Sequence, residues 1–210
     1  MDMDWHNEIK RGIRHLAASD PVMAGLIERY PAPSFTPHQN YYQELVESII
    51  SQQLSVRAAA TITKRFVESF GRFPPPEELL ERTPDELRAV GLSYQKASYI
   101  QDLARHILTG SVRFGHLDGR SNQEIIGELT AVKGIGEWTV HMFLIFCMGR
   151  LDILATGDLG VKTGIRNLYA LPHLPTPTEI VRLAEDNGWQ PYASLACWYL
   201  WKSLDNTPST

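Results

Sequence analysis

The chain has 210 residues, 43% hydrophobic and 21% charged, enough to bury a sizeable core in one large domain or two small ones. A formal net charge of −4 excludes holding nucleic acid by bulk electrostatics, and two cysteines, Cys147 and Cys197, are too few for a disulfide framework or a cysteine metal cluster. The longest apolar run, Met142 to Met148, is short, and the opening from Met1 to Lys10 is acidic and polar, so neither a membrane span nor a signal peptide is expected and the protein is placed inside the cell.

In chain order, Asp20-Pro21 and the stretch from Pro31 to Pro37 break the N-terminal part into segments. Apolar residues then recur at three- and four-residue spacing through Leu45, Ile49, Ile50 and Leu54, which predicts an amphipathic helix. Pro74-Pro75-Pro76 interrupts. Thr83-Pro84-Asp85-Glu86 reads as a helix start, with a capping threonine, proline at the first helical position and acids in the first turn. Helical spacing returns at Tyr99, Ile100, Leu103 and Ile107. Ser121, with Glu124 in the capping-box position, opens a helix toward Leu129. Pro172 to Pro177 marks a further loop. Trp198, Tyr199 and Trp201 sit at helical spacing and read as core, and the tail from Asn206 to Thr210 is low in complexity. Strand-type alternation is not sustained anywhere, so the fold class expected is all-α, with about ten helices.

The chemistry concentrates in two places. Leu129-Thr130-Ala131-Val132-Lys133-Gly134-Ile135-Gly136-Glu137-Trp138-Thr139 reads as a helix end, a tight glycine turn and a new helix start. Such a turn can present backbone N–H groups to a phosphate without net positive charge, with Lys133 and the Thr139 hydroxyl adding contacts. A bare Gly-x-Gly also fits an ordinary helix–helix turn. Downstream, in Ala155-Thr156-Gly157-Asp158-Leu159-Gly160, Asp158 sits where a helix N-cap would, and a helix N-terminus favours its negative charge. His141 and His173 lack metal-ligand spacing and read as ordinary polar residues. Tyr41 and Tyr42 fit either a pocket wall or core packing.

The hairpin followed by Asp158 resembles the helix-hairpin-helix DNA glycosylase superfamily. Ser48-Ile49-Ile50-Ser51-Gln52-Gln53-Leu54-Ser55 is similar to that family's wedge segment, Gly91 to Ala97 to a second loop, and Trp189 to Trp201 to the last helix of the alkylpurine branch, 3-methyladenine DNA glycosylase II. The resemblance implies Asp158 as the catalytic carboxylate. It implies Gln53 and Leu54 at the wedge, and Lys133, Gly134, Ile135, Gly136 and Thr139 on the DNA backbone. A monovalent cation, Na+ or K+, would be held by the carbonyls of Thr130, Val132 and Ile135. Lyases of the superfamily carry a lysine two positions after the second hairpin glycine; here that position is Trp138, which cannot form the imine, so a monofunctional hydrolase is expected.

Purines alkylated at N3 or N7 are already cationic, so one carboxylate can suffice without an acid for the leaving group and without a catalytic cofactor. Trp138 and Tyr192 are the candidate walls of an aromatic slot for such a base. Many relatives carry arginine where this chain has Ala193, which predicts weaker DNA binding. The expected organisation is two helical subdomains with a cleft between them, residues 1–41 plus 151–210 and residues 42–150. The expected partner is double-stranded DNA with alkylated or abasic sites, bound by a monomer inside the cell, which in a bacterium means the cytoplasm or nucleoid. The rival readings are a non-catalytic DNA-binding module, a glycosylase/lyase for oxidised bases and a helical interaction scaffold.

Overall fold

A computed structural model describes residues 5–35 and 37–205; Met1 to Asp4, Thr36 and the Asn206 to Thr210 tail lie outside them. All regular structure among the described residues is helical, and no helix is long and apolar enough to cross a membrane. The chain divides into two compact units, one drawn from the chain up to Pro37 and from Leu144 onward, the other His38–Phe143. The boundaries thus fall at 37/38 and 143/144, where the sequence led to 41/42 and 150/151. A π-helical turn covers Phe143–Cys147, and Gly149-Arg150, which follows the apolar run Met142 to Met148, comes after the second boundary.

The central unit contains α3 (Tyr41–Ser51), α4 (Val56–Phe70), α5 (Pro76–Glu81), α6 (Pro84–Ala89), α7 (Tyr94–Leu108), a 3-10 turn, α8 (Asn122–Thr130) and α9 (Glu137–Met142). Helix α7 packs against α3, α5 and α6 through Ala97, Ile100, Leu103 and Ala104, all fully buried. Burial of a side chain the size of Ile100 or Leu103 contributes about 1.5–3 kcal/mol. The capping boxes expected at Thr83 and Ser121 are both present. Leu54 departs from its expected place in the helix. Helix α3 stops at Ser51 because Gln52 turns extended and Gln53 takes a left-handed φ of 57°, which leaves Leu54 38% exposed in the turn.

The terminal unit contains α1 (Trp5–Ser19), α2 (Pro21–Arg29), α10 (Leu159–Leu168), α11 (Pro177–Asp186) and α12 (Ala193–Lys202). Helix α12 packs on α1, α2 and α10. Asp20, 1% exposed, caps α2 through Val22 N and Met23 N on Oδ1, while Oδ2 accepts from the Trp189 indole and the Tyr169 hydroxyl. A buried carboxylate is tolerable because donors satisfy it in this way. A third capping box, Thr176 with Glu179, opens α11.

Candidate functional site

In the terminal unit, Asp158 is both a cap and a partly exposed carboxylate. Its Oδ1 accepts from Val161 N at 2.8 Å at the start of α10 and from Trp201 Nε1 at 2.7 Å. Oδ2 takes part in neither bond. A Cβ on Gly160 would lie 2.7 Å from Trp201 Cδ1, so the indole reaches the carboxylate only across a glycine. One face of α12 holds the loop that leads to Asp158. Ser194 Oγ donates to Arg150 O (2.7 Å) and accepts from Ile153 N (3.0 Å), and Cys197 Sγ lies 3.9 Å from Ile153 O. Ser194, Cys197 and Trp201 recur along that face, so the loop is fastened before the carboxylate is. Burial pushes the Cys197 thiol up to about 12, which removes it as a nucleophile at neutral pH.

Trp201 therefore corrects the reading of it as core. Its ring is half-exposed and lies 5.7 Å from Phe146 at an interplanar angle of 31°, and Phe146 meets Phe35 edge-on at 5.8 Å. Phe146 is 41% exposed, so this cluster offers aromatic surface in the unit that carries Asp158. Tyr192 is committed elsewhere. Its hydroxyl donates to Glu8 Oε1 at 2.9 Å, and a Cβ on Gly12 would lie 2.6 Å from its ring. The phenol holds α1 and keeps the Glu8 carboxyl below its usual value. Ala193 is fully buried at the first residue of α12.

In the central unit, the hairpin between α8 and α9 is anchored from below. Asp102, 7% exposed on α7, accepts Lys133 N at 2.9 Å, and Ile135 N donates to Val132 O at 3.1 Å. These two N–H groups are thus already bonded within the protein, the first to α7 and the second inside the turn; the Lys133 side chain remains exposed. Gly134 has φ +83°, and a Cβ there would fall 2.0 Å from the Tyr99 ring, so only glycine fits. Gly136 caps α9 without a side chain. Thr139 is 5% exposed and lines the groove beside Trp138, and Val132 and Ile135 turn their side chains into the core.

Trp138 is 49% exposed beside a groove of about 1150 Å³ whose lining includes Gln53, Leu54, Ser48, Ser51 and Met142. The wedge candidates and Trp138 are therefore brought to one groove. His141 is buried at 7% exposure, and burial pushes its imidazole below the usual value. Tyr41 is core, its hydroxyl donating to Asp118 Oδ1 at 2.6 Å, and Tyr42 packs edge-on against Phe73.

Residues 46–189 match the HhH-GPD superfamily of base excision DNA repair proteins. The chain is 38% identical over 165 residues to DNA-3-methyladenine glycosylase 1 of Schizosaccharomyces pombe, spanning 77% of this chain and 72% of that one. It is 30% identical over 208 residues to the putative DNA-3-methyladenine glycosylase YfjP of Bacillus subtilis, spanning 96% and 71%. Among solved structures, the S. pombe 3-methyladenine DNA glycosylase Mag1 in complex with abasic DNA matches with a TM-score of 0.80 at 32% identity, over 95% of this chain and 99% of that one. A DNA-3-methyladenine glycosidase from Bacillus halodurans matches with a TM-score of 0.83 at 34% identity, over 93% and 89%.

Proposed function

Because the chain belongs to the HhH-GPD superfamily of base excision DNA repair proteins, we propose that it is a monofunctional DNA glycosylase hydrolysing the N-glycosidic bond of alkylated purines. The observation that carries this reading is Asp158, fixed between the α10 N-terminus and the Trp201 indole, in a chain with Trp138 where a lyase needs lysine. Relatives named 3-methyladenine glycosylases support the substrate class.

A purine alkylated at N3 or N7 leaves with the electron pair of the C1′–N bond and departs neutral, while positive charge develops on the sugar. The Asp158 carboxylate stabilises that charge, and water adds to C1′, its proton passing to the carboxylate or to solvent. Two N–H donors on Oδ1 keep the carboxylate from rotating away, which supplies the preorganisation such stabilisation requires. The bond cannot be engaged while the base is stacked, so the nucleotide is flipped, with Gln53 and Leu54 as the side chains that fill the gap. Trp138 offers an electron-rich face to the cationic base, worth about 0.5–2 kcal/mol. Phe146 and Trp201 replace Tyr192 as the aromatic wall in the unit of Asp158, and Tyr192 becomes a buttress for α1.

Gly134, Gly136 and the Lys133 ammonium are the DNA-backbone contacts. The carbonyls of Thr130 and Val132 lie at the C-terminal end of α8, where helix carbonyls carry partial negative charge, and Val132 O keeps a second lone pair beside its bond from Ile135 N. With Ile135 O they form a neutral oxygen set that fits Na+ or K+. When bound, such an ion would add positive charge toward a phosphate. The partner is double-stranded DNA with alkylated or abasic sites, bound by one copy of the chain.

The test is to incubate the protein with methylated DNA and identify released bases by mass, for the wild type and Asp158→Asn. Release of 3-methyladenine or 7-methylguanine, lowered about a hundredfold or more by Asp158→Asn with DNA binding kept, is expected. No release from any alkylated substrate sinks the assignment, and a borohydride-trapped DNA adduct replaces it with a lyase.

A further inference from the structure

Helix α3 ends one residue before the turn that carries Gln53 and Leu54, and the carbonyls of a last helical turn have no partners of their own. Lys96, on the first turn of α7, supplies them from far along the chain. Its Nζ donates to Ile50 O and to Gln52 O, both at 2.7 Å. The ammonium is half-buried, no carboxylate pairs with it among the described residues, and a cation at this end of a helix meets the negative end of its dipole.

The same turn is tied on its other side. Gln52 Nε2 donates to Gly134 O at 2.8 Å, inside the hairpin. Tyr99, whose ring lies beneath Gly134, accepts Gln95 Nε2 on its hydroxyl at 2.6 Å. Gln53 meanwhile sits at φ 57°, a conformation that a residue with a side chain keeps only when its surroundings hold it there. The first turns of α7 therefore supply Lys96 to the backbone of the wedge turn and the Tyr99 ring, held by Gln95, to the underside of the hairpin.

Resting on the assignment of Gln53 and Leu54 as the wedge, we propose that Lys96 is a positioning residue: with Gln52 it locks the wedge turn to the hairpin. Gripping the phosphate backbone and filling the gap left by the flipped base are then done by one body. Without the Lys96 bonds the hairpin can still grip, but the turn no longer arrives with Gln53 in place.

The experiment uses the full chain and a duplex with an abasic analogue opposite 2-aminopurine, whose fluorescence at saturating protein reports insertion into the stack; affinity is measured in parallel. Lys96→Met is expected to lose about half of the fluorescence change or more, as Gln53→Ala does, with affinity kept within about tenfold. Lys96→Arg, which can still donate to both carbonyls, is expected to keep most of it. A full change in Lys96→Met while Gln53→Ala or Leu54→Ala loses it overturns the proposal, and so does a parallel collapse of fluorescence change and affinity. If neither Gln53→Ala nor Leu54→Ala alters the signal, the wedge assignment fails and the proposal falls with it. Should Lys96→Met not fold, Gln52→Leu is read the same way, a lost signal supporting the lock and a full one refuting it.

Discussion

At Gly160 a Cβ would sit 2.7 Å from Trp201 Cδ1 and 3.0 Å from Asp158 Oδ1. Alanine is the better helix former there by about 1 kcal/mol, yet it would push the indole off the carboxylate. A hydrogen bond to a charged group contributes about 1.5–3 kcal/mol, so its loss should slow base release about tenfold to a hundredfold if the bond holds Asp158 in its reactive orientation. Gly160→Ala is therefore expected to lower the single-turnover rate on methylated duplex DNA. Trp201→Phe keeps an aromatic face, removes the N–H and should give a loss of the same order. Wild-type rates in both variants would show that the indole serves packing alone. Asp158 is visible in the sequence because its cap and its loop are contiguous. Trp201 is not, because nothing local distinguishes an indole aimed at a residue 43 positions away from one aimed into the core of a helix as apolar as α12.

The helix starts are where sequence and structure agree most closely, since a capping box is complete within four residues. Ser121 and Glu124 at the start of α8 show this. Glu124 accepts from Ser121 N and Oγ and from Arg120, which together hold its carboxyl down to about 2. Glu86 and Glu179, in the boxes of α6 and α11, are lowered for the same reason, the backbone N–H of the capping threonine first. A carboxyl lowered in the folded state contributes stability that is complete above its unfolded value, about 4.3, and is lost as pH falls through the folded one. The melting temperature should thus fall between about pH 5 and pH 2, and Glu124→Gln should flatten part of that fall while lowering the plateau near neutrality. An acid limb unchanged in Glu124→Gln would remove this box as a contributor. The tie from Lys96 to α3 was not readable in the same way, because its acceptors lie 46 and 44 residues back and are backbone atoms of no particular residue type. Caps follow from local chemistry, whereas the fastening of one element to another depends on which elements meet.

For the whole molecule, a net charge of −4 must be reconciled with a polyanionic partner. Many cations are neutralised where they stand: Arg72 by Glu78, Arg82 by Glu86, Arg120 by Glu124 and Lys202 by Asp205. Exposed pairs of this kind add little stability, but they withdraw charge from any partner. Lys133 differs. Its N–H is spent on Asp102, while its ammonium enters no ion pair among the described residues and stands exposed on the hairpin. Binding built from a few such charges and from backbone N–H groups should depend only gently on salt, since each phosphate neutralised adds about 0.9 to the slope of log affinity against log salt. Lys133→Ala should reduce that slope by about 1 and weaken binding to damaged and undamaged duplexes alike. Its melting temperature should stay near the wild-type value, because the anchoring bond uses the backbone and survives the substitution. The titration is run on an abasic-analogue duplex across a range of potassium chloride concentrations. A slope unchanged in Lys133→Ala would mean that the hairpin meets the phosphate through neutral groups alone, and the charge that offsets −4 would then have to come from elsewhere on the surface.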